Sequence, residues 1–167
     1  MTTRKTLSIC SAWANSLRPG LALLLFPLLL FPQFSSILTV QAPPPLAMKA
    51  GVETPVKLHV KLNSGYHVNS NKPADEYLIP LKLTWTPAPL SVTSIAFPEA
   101  KMEKYAFSEK PLSVYTGDFD IVTKFQAPAN TPKGEKTITG KLRYQACSNT
   151  ACYPPRSADV KITVNVF

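Results

Sequence analysis

Between Val56 and Leu62 the chain reads Val-Lys-Leu-His-Val-Lys-Leu, apolar at every even number and polar at every odd one. A repeat of two marks a strand with one buried face, because successive strand side chains point to opposite sides. Asn63-Ser64-Gly65 then turns the chain, and Tyr66-His67-Val68-Asn69 resumes a short strand before a polar loop from Ser70 to Glu76. Further strands are predicted at 78–85, 92–97, 114–125 around Gly117-Asp118, 136–147 and 159–167, with prolines and turn residues between them. Nowhere does the pattern sustain the 3.6-residue period of a helix. The segment 98–111 sets Met102, Tyr105 and Phe107 in a polar background and reads as a long loop, a kind of segment that frequently carries function. Seven or eight strands over about 120 residues predict an all-β, immunoglobulin-like antiparallel β-sandwich.

The N-terminus breaks this pattern. Arg4, Lys5 and Arg18 precede the uncharged run Leu21–Phe31, which is the order of a secretory signal. Its apolar core of about ten to twelve residues is short of the ~20 that span a bilayer as a helix, and Pro27 and Pro32 interrupt it. Residues 1–42 are therefore expected to be a signal peptide or an uncleaved signal anchor. Val40-Gln41-Ala42 ends on a small residue suited to cleavage, but Pro43 follows it. The Pro-rich stretch 43–50 is expected to be an extended spacer, and the folded domain to occupy 51–167. The protein is expected to be exported, attached to a membrane only where the signal stays uncleaved.

A length of 167 residues with 45% hydrophobic content suits one domain with its own core. Removing Arg4, Lys5 and Arg18 from the 18 basic residues leaves 15 against 10 acidic ones, a net charge of about +5 spread without clusters. Nucleic-acid binding has no footing in such a distribution. With two histidines and six glycines, neither a Ser-His-Asp set nor a phosphate-cradling loop is visible, and no cofactor is expected. A structural zinc site wants four ligands; Cys147 and Cys152 leave only His59 and His67 to complete it, and no metal site is expected.

Cys10 falls in the signal, so the exported part holds the pair Cys147 and Cys152. In an oxidising compartment these can form a disulfide. Ile138, Gly140, Leu142, Tyr144 and Ala146 share the apolar face of their strand, which puts Cys147 on the polar face at its end. A turn of Ser148-Asn149-Thr150-Ala151 would set the cysteines opposite one another, with Cα atoms about 4.5–5.5 Å apart. Tyr153-Pro154-Pro155 cannot continue a ladder, which leaves Cys152 at a rim. A ring this small gives only about 2 kcal/mol by chain entropy. Spacing alone leaves a hairpin staple and a redox tool equally open, and emergence on the polar face favours the tool.

The segments Tyr144-Gln145-Ala146-Cys147 and Cys152-Tyr153-Pro154-Pro155, with Gly65-Tyr66-His67-Val68-Asn69 and Phe107-Ser108-Glu109-Lys110-Pro111-Leu112-Ser113-Val114-Tyr115, resemble the periplasmic N-terminal domains of the thiol:disulfide interchange protein DsbD. The resemblance spans roughly 52–167. It implies an immunoglobulin-like fold in the periplasm whose cysteine pair, Cys147 and Cys152, exchanges electrons with periplasmic thioredoxin-fold partners. It also implies a cap over the disulfide in the loop Tyr105 to Lys110, with Tyr105 or Phe107 as the covering aromatic. His67 and Asn69, with Tyr144 and Tyr153 flanking the cysteines, fall beside the pair; His67 then either assists proton transfer or packs there. Full-length members continue into a membrane electron carrier and a thioredoxin-like domain, so a membrane electron donor is expected to act in trans. The cysteine spacing is shorter than in the best-known members. The alternative is an immunoglobulin-like binding module in which the bridge only pins a hairpin.

Overall fold

The structure, a computed structural model, describes residues 36–167, and the apolar run and Cys10 lie outside the described residues. The described chain is strands and loops without a helix. The strands are β1 (Leu38–Gln41), β2 (Leu46–Met48), β3 (Glu53–Leu62), β4 (His67–Asn69), β5 (Lys82–Thr86), β6 (Ser91–Ala96), β7 (Lys101–Glu103), β8 (Leu112–Thr116), β9 (Phe119–Gln126), β10 (Gly134–Tyr144), β11 (Ala146–Cys147) and β12 (Arg156–Val166). Seven have five or more residues; the expected segments fall on these and on the short β4, with 114–125 divided between β8 and β9.

Two four-stranded sheets make an immunoglobulin-like sandwich, one in the order β1-β3-β9-β6 and the other β2-β12-β10-β5. All pairings are antiparallel except β2 with β12. In β3 the residues Val56, Leu58, Val60 and Leu62 face inward, and in β12 Val160, Ile162, Val164 and Val166 do the same, so the period of two becomes one continuous core. Trp85 of β5 crosses between the sheets, its ring 5.0 Å from Phe125 of β9 and its indole N–H donated to Thr123 Oγ1 at 3.1 Å. Gly140 of β10 lies under that ring: a Cβ there would sit 2.6 Å from Trp85 Cε3 and 2.9 Å from the Thr84 carbonyl oxygen.

The N-terminal boundary needs correcting. Residues 38–41 pair with β3, and 46–48 run parallel to the end of β12, so the sandwich begins upstream of residue 51. Leu38 and Met48 are core residues. The prolines at 43–45 do form a connection, but between the two sheets of the domain rather than ahead of it.

A third sheet, in the order β11-β4-β8-β7, closes one end of the sandwich. Three body strands feed it: β3 through the turn at 63–66, β9 back through Gly117-Asp118 to β8, and β10 through Gln145 to β11. Part of the expected long loop is β7, which pairs with β8 and leaves 104–111 as the connection.

Candidate functional site

Strand alternation holds along β10 as far as Tyr144, and then the chain changes sheets. Gln145 is the joint. Its amide oxygen accepts from Asn69 Nδ2 at 3.1 Å and from the Ile79 N–H at 3.4 Å, while its amide nitrogen donates to the Tyr153 carbonyl at 3.3 Å. One side chain thus ties β4, the 79 segment and the chain after Cys152 to the same point. Beyond it Ala146 and Cys147 pair with Val68 and His67 of β4.

This change of sheet overturns the polar-face expectation for Cys147. Its residue surface is 0% exposed, because both residues of β11, one on each face, are buried. Cys152 is exposed. The two form a disulfide with Cα atoms 3.9 Å apart, closer than the ladder spacing expected, and are joined by a single isolated bridge. The Ser148 N–H donates to the Ala151 carbonyl at 2.8 Å and the Tyr153 N–H to the Ala146 carbonyl at 2.9 Å. Ser148 Oγ accepts from the amides of Thr150 and Ala151, which fixes the intervening turn.

Cross-strand partners share a face, so His67 lies on the same side of the end sheet as Cys147. Its imidazole is stacked against Tyr105, centroids 3.8 Å apart and planes 15° apart. Phe107 is 5.6 Å from Tyr105 and 6.2 Å from His67, with all three rings nearly parallel. Those distances make roughly a right angle at Tyr105, so Phe107 sits beside Tyr105 in one layer, with His67 beneath Tyr105. Tyr105 is buried and Phe107 is 38% exposed. The loop that carries them is closed on itself by Lys104, whose Nζ donates to the carbonyls of Ser108 and Glu109, and by Ser108 Oγ to the Lys110 carbonyl.

The electrostatics follow from burial. The Tyr105 hydroxyl donates to Glu103 Oε2 at 2.6 Å. Burial, and then that hydrogen bond to a carboxylate, push its phenol far above the ordinary value. Burial lowers the His67 imidazole, against a smaller upward pull from Glu103. His67 Nε2 and Asn69 Oδ1 are buried without hydrogen-bond partners. On the other flank Tyr66 and Tyr153 meet at 6.0 Å, and the Tyr153 neighbour raises the Tyr66 phenol. An open cleft of about 380 Å³ is lined by Tyr66, His67, Glu103, Tyr105 and Asn149 among others.

Of the residues the sequence singles out, Cys147, His67 and Asn69 are brought together in the end sheet, Tyr105 and Phe107 over it, and Tyr153 on the Cys152 flank. Tyr144 is instead packed in the main core. Sequence reasoning misses Gln145 and Glu103. In sequence the alternation runs on through Ala146, so no periodic signal marks Gln145. Among the described residues no cluster of three or more His, Cys, Asp or Glu could hold a metal ion.

The N-terminal periplasmic domain of ScsB from Proteus mirabilis is 16% identical, with TM-score 0.51 over 75% of this chain and 44% of that one, and shares the fold. The reduced DsbD N-terminal domain of Neisseria meningitidis is 19% identical with TM-score 0.44, over 66% of this chain and 80% of that one. No curated protein matches the chain. The sequence model described as "Thiol:disulfide interchange protein DsbD, N-terminal" matches residues 36–163, nearly all of the described chain. The chain belongs to the family of DsbD N-terminal domains.

Proposed function

We propose that the protein is an exported thiol-disulfide exchange module working through Cys147 and Cys152. The observation that carries this reading is the asymmetry of the bridge: one sulfur belongs to an exposed residue and the other to a fully buried one. A partner thiolate reaches Cys152, forms a mixed disulfide with it and releases Cys147 as the second thiol. In the opposite direction Cys152 attacks a partner disulfide and Cys147 resolves it. The loop 104–110 acts as the cap. Its internal hydrogen bonds let it move as a unit, and Tyr105 and Phe107 limit small oxidants while it is closed.

Family membership supports periplasmic thioredoxin-fold partners and a membrane electron donor. The leader within 1–35 supports export, with tethering to the inner membrane if it is retained. Both paired strands β1 and β2 belong to the mature protein in this reading, so any cut falls before Leu38.

The reduction potential tests exchange directly. Exchange-active bridges lie at about −120 to −270 mV, whereas structural ones in secreted proteins lie below about −300 mV. A potential in the upper window, with mixed disulfides trapped on Cys152 by Cys147→Ser, is the expected result. A value below about −300 mV with nothing trapped would return the bridge to a hairpin staple in a binding module.

A further inference from the structure

If the pair exchanges disulfides, as proposed above, the buried sulfur has a proton to lose. Once Cys152 holds a partner in a mixed disulfide, Cys147 must attack as a thiolate, because the thiol is not the nucleophile. Cys147 is 0% exposed, so bulk water does not reach it directly, and apolar burial disfavours thiolate formation. A base has to be present within the fold.

Three observations single out His67. It is the register partner of Cys147, and directly opposed residues carry their Cβ atoms about 4.5–5.5 Å apart on one face. It is 1% exposed, and its Nε2 is buried with no hydrogen-bond partner, an exception in folded proteins. Its ring is held face to face with Tyr105, so the imidazole is oriented by stacking and not by a hydrogen bond. A disulfide sulfur has no proton to offer this nitrogen. The reduced Cys147 thiol has one.

The surroundings favour a neutral imidazole that can accept a proton. Burial lowers His67, and the charged group that opposes this is Glu103. The titratable groups around it are Glu103 at the end of β7, Tyr105 from the cap, Tyr66 from the preceding turn and Cys147 from β11; β8 contributes the uncharged Thr116. Glu103 stabilises the imidazolium once it forms.

We propose that His67 is the general base that deprotonates Cys147 for the resolving attack. The imidazole takes the S–H proton, and the thiolate electron pair forms the Cys147–Cys152 bond. The bond between Cys152 and the partner sulfur breaks, its electrons leaving with the partner as a thiolate. The two cysteines are oxidised and the partner disulfide is reduced. The imidazolium proton returns to solvent through the cleft shared by His67, Glu103 and Tyr105.

The test mixes the reduced protein with the chromogenic disulfide dithiobis(nitrobenzoate) and monitors thiolate release by stopped flow at several pH values. The first thiolate reports attack by Cys152, and the second reports resolution by Cys147. In His67→Phe, which keeps a ring against Tyr105, the first phase holds its rate. The second falls about tenfold or more at pH 7 and rises steeply only above about pH 8.5, the ordinary thiol value, because burial disfavours the thiolate. His67→Gln, polar but not a base, behaves the same way. A second phase within twofold of wild type in both variants overturns the proposal. So does equal slowing of both phases, which marks a structural role. A wild-type protein that never releases the second thiolate sinks the exchange reading itself, an outcome distinct from a failure of His67 alone.

Discussion

The body of the sandwich and its end sheet are built on different rules. In β3, β10 and β12 inward positions are buried and outward ones are exposed or half-buried, so each strand has one wet face. In β4 and β11 every residue is buried, and in β8 all but the last. Within the end sheet β11, β4 and β8 are covered on both sides while the edge strand β7 is exposed or half-buried, and polar groups are trapped in or beside the covered strands: His67, Asn69, Ser70 and Ser113 are buried, with the two serine hydroxyls paired at 2.8 Å. A half-wet sheet needs only apolar area to be stable. A doubly covered polar sheet holds hydrogen-bonding groups at raised cost, and such groups persist where chemistry uses them.

Damage to the body should therefore lower stability and spare exchange by the molecules that remain folded, while damage to the end sheet should do the reverse. The largest effect is expected from starting the chain at Pro43 rather than Ser36. That removes β1 and the fully buried Leu38, and costs about 3–5 kcal/mol, as for loss of a large core side chain. Urea unfolding of the two versions measures it, and equal midpoints would show that β1 is dispensable. Gly140→Val comes next. Its Cβ meets backbone oxygen as well as the Trp85 ring, so about 1–3 kcal/mol of overpacking is expected in the thermal or urea midpoint, with the exchange rate unchanged.

The same contrast explains which parts of the molecule are legible in the sequence. The long body strands β3, β10 and β12 and their buried faces are announced by alternation, because each has one wet side. Of the short strands only β4, expected at 66–69, is foreseen. Leu38-Thr39-Val40-Gln41 does alternate, but it lies against an apolar leader and ahead of three prolines, and those louder signals place it outside the domain. At the site, the cysteine pair and the aromatic loop stand out in the residues themselves and the resemblance assigns the loop its role as a cap, whereas alternation misplaces Cys147 on a wet face. Alternation assigns a residue to a side of its own strand; it is silent when the strand leaves one sheet at Gln145 and enters another with both faces covered.

Gln145 therefore offers a sharper test of the end sheet. Gln145→Ala removes an acceptor for Asn69 and for the Ile79 N–H, and a donor to the Tyr153 carbonyl. A loss of about 1–2 kcal/mol is expected from these partly exposed bonds, smaller than either body effect. The exchange rate with a small dithiol should change several-fold, because the joint between the buried cysteine's strand and the exposed cysteine's segment is loosened. An unchanged rate would mean that the bridge is positioned by its turn alone.

The smallest expected effect concerns pH, and it separates the regions by a titration rather than a substitution. Burial lowers the folded-state pKa of His67 below its ordinary value of 6.5, so below that value the unfolded chain takes up a proton that the folded chain resists. Unfolding then binds protons, and stability rises with pH across this window. The contribution is fully present above about pH 6.5 and is lost as pH falls through the folded value. Asp120 has the same sign at lower pH, its carboxyl held below 3.8 first by the hydrogen bond from His59 and then by Lys57, on the body surface. Urea midpoints between pH 7 and 5 should therefore decline in the wild type and decline less in His67→Phe, while Asp120→Asn alters only the more acidic limb. Parallel curves for wild type and His67→Phe between pH 7 and 5 would show that the end sheet does not hold its histidine neutral, and the contrast between a wet body and a dry, polar end would lose its electrostatic half.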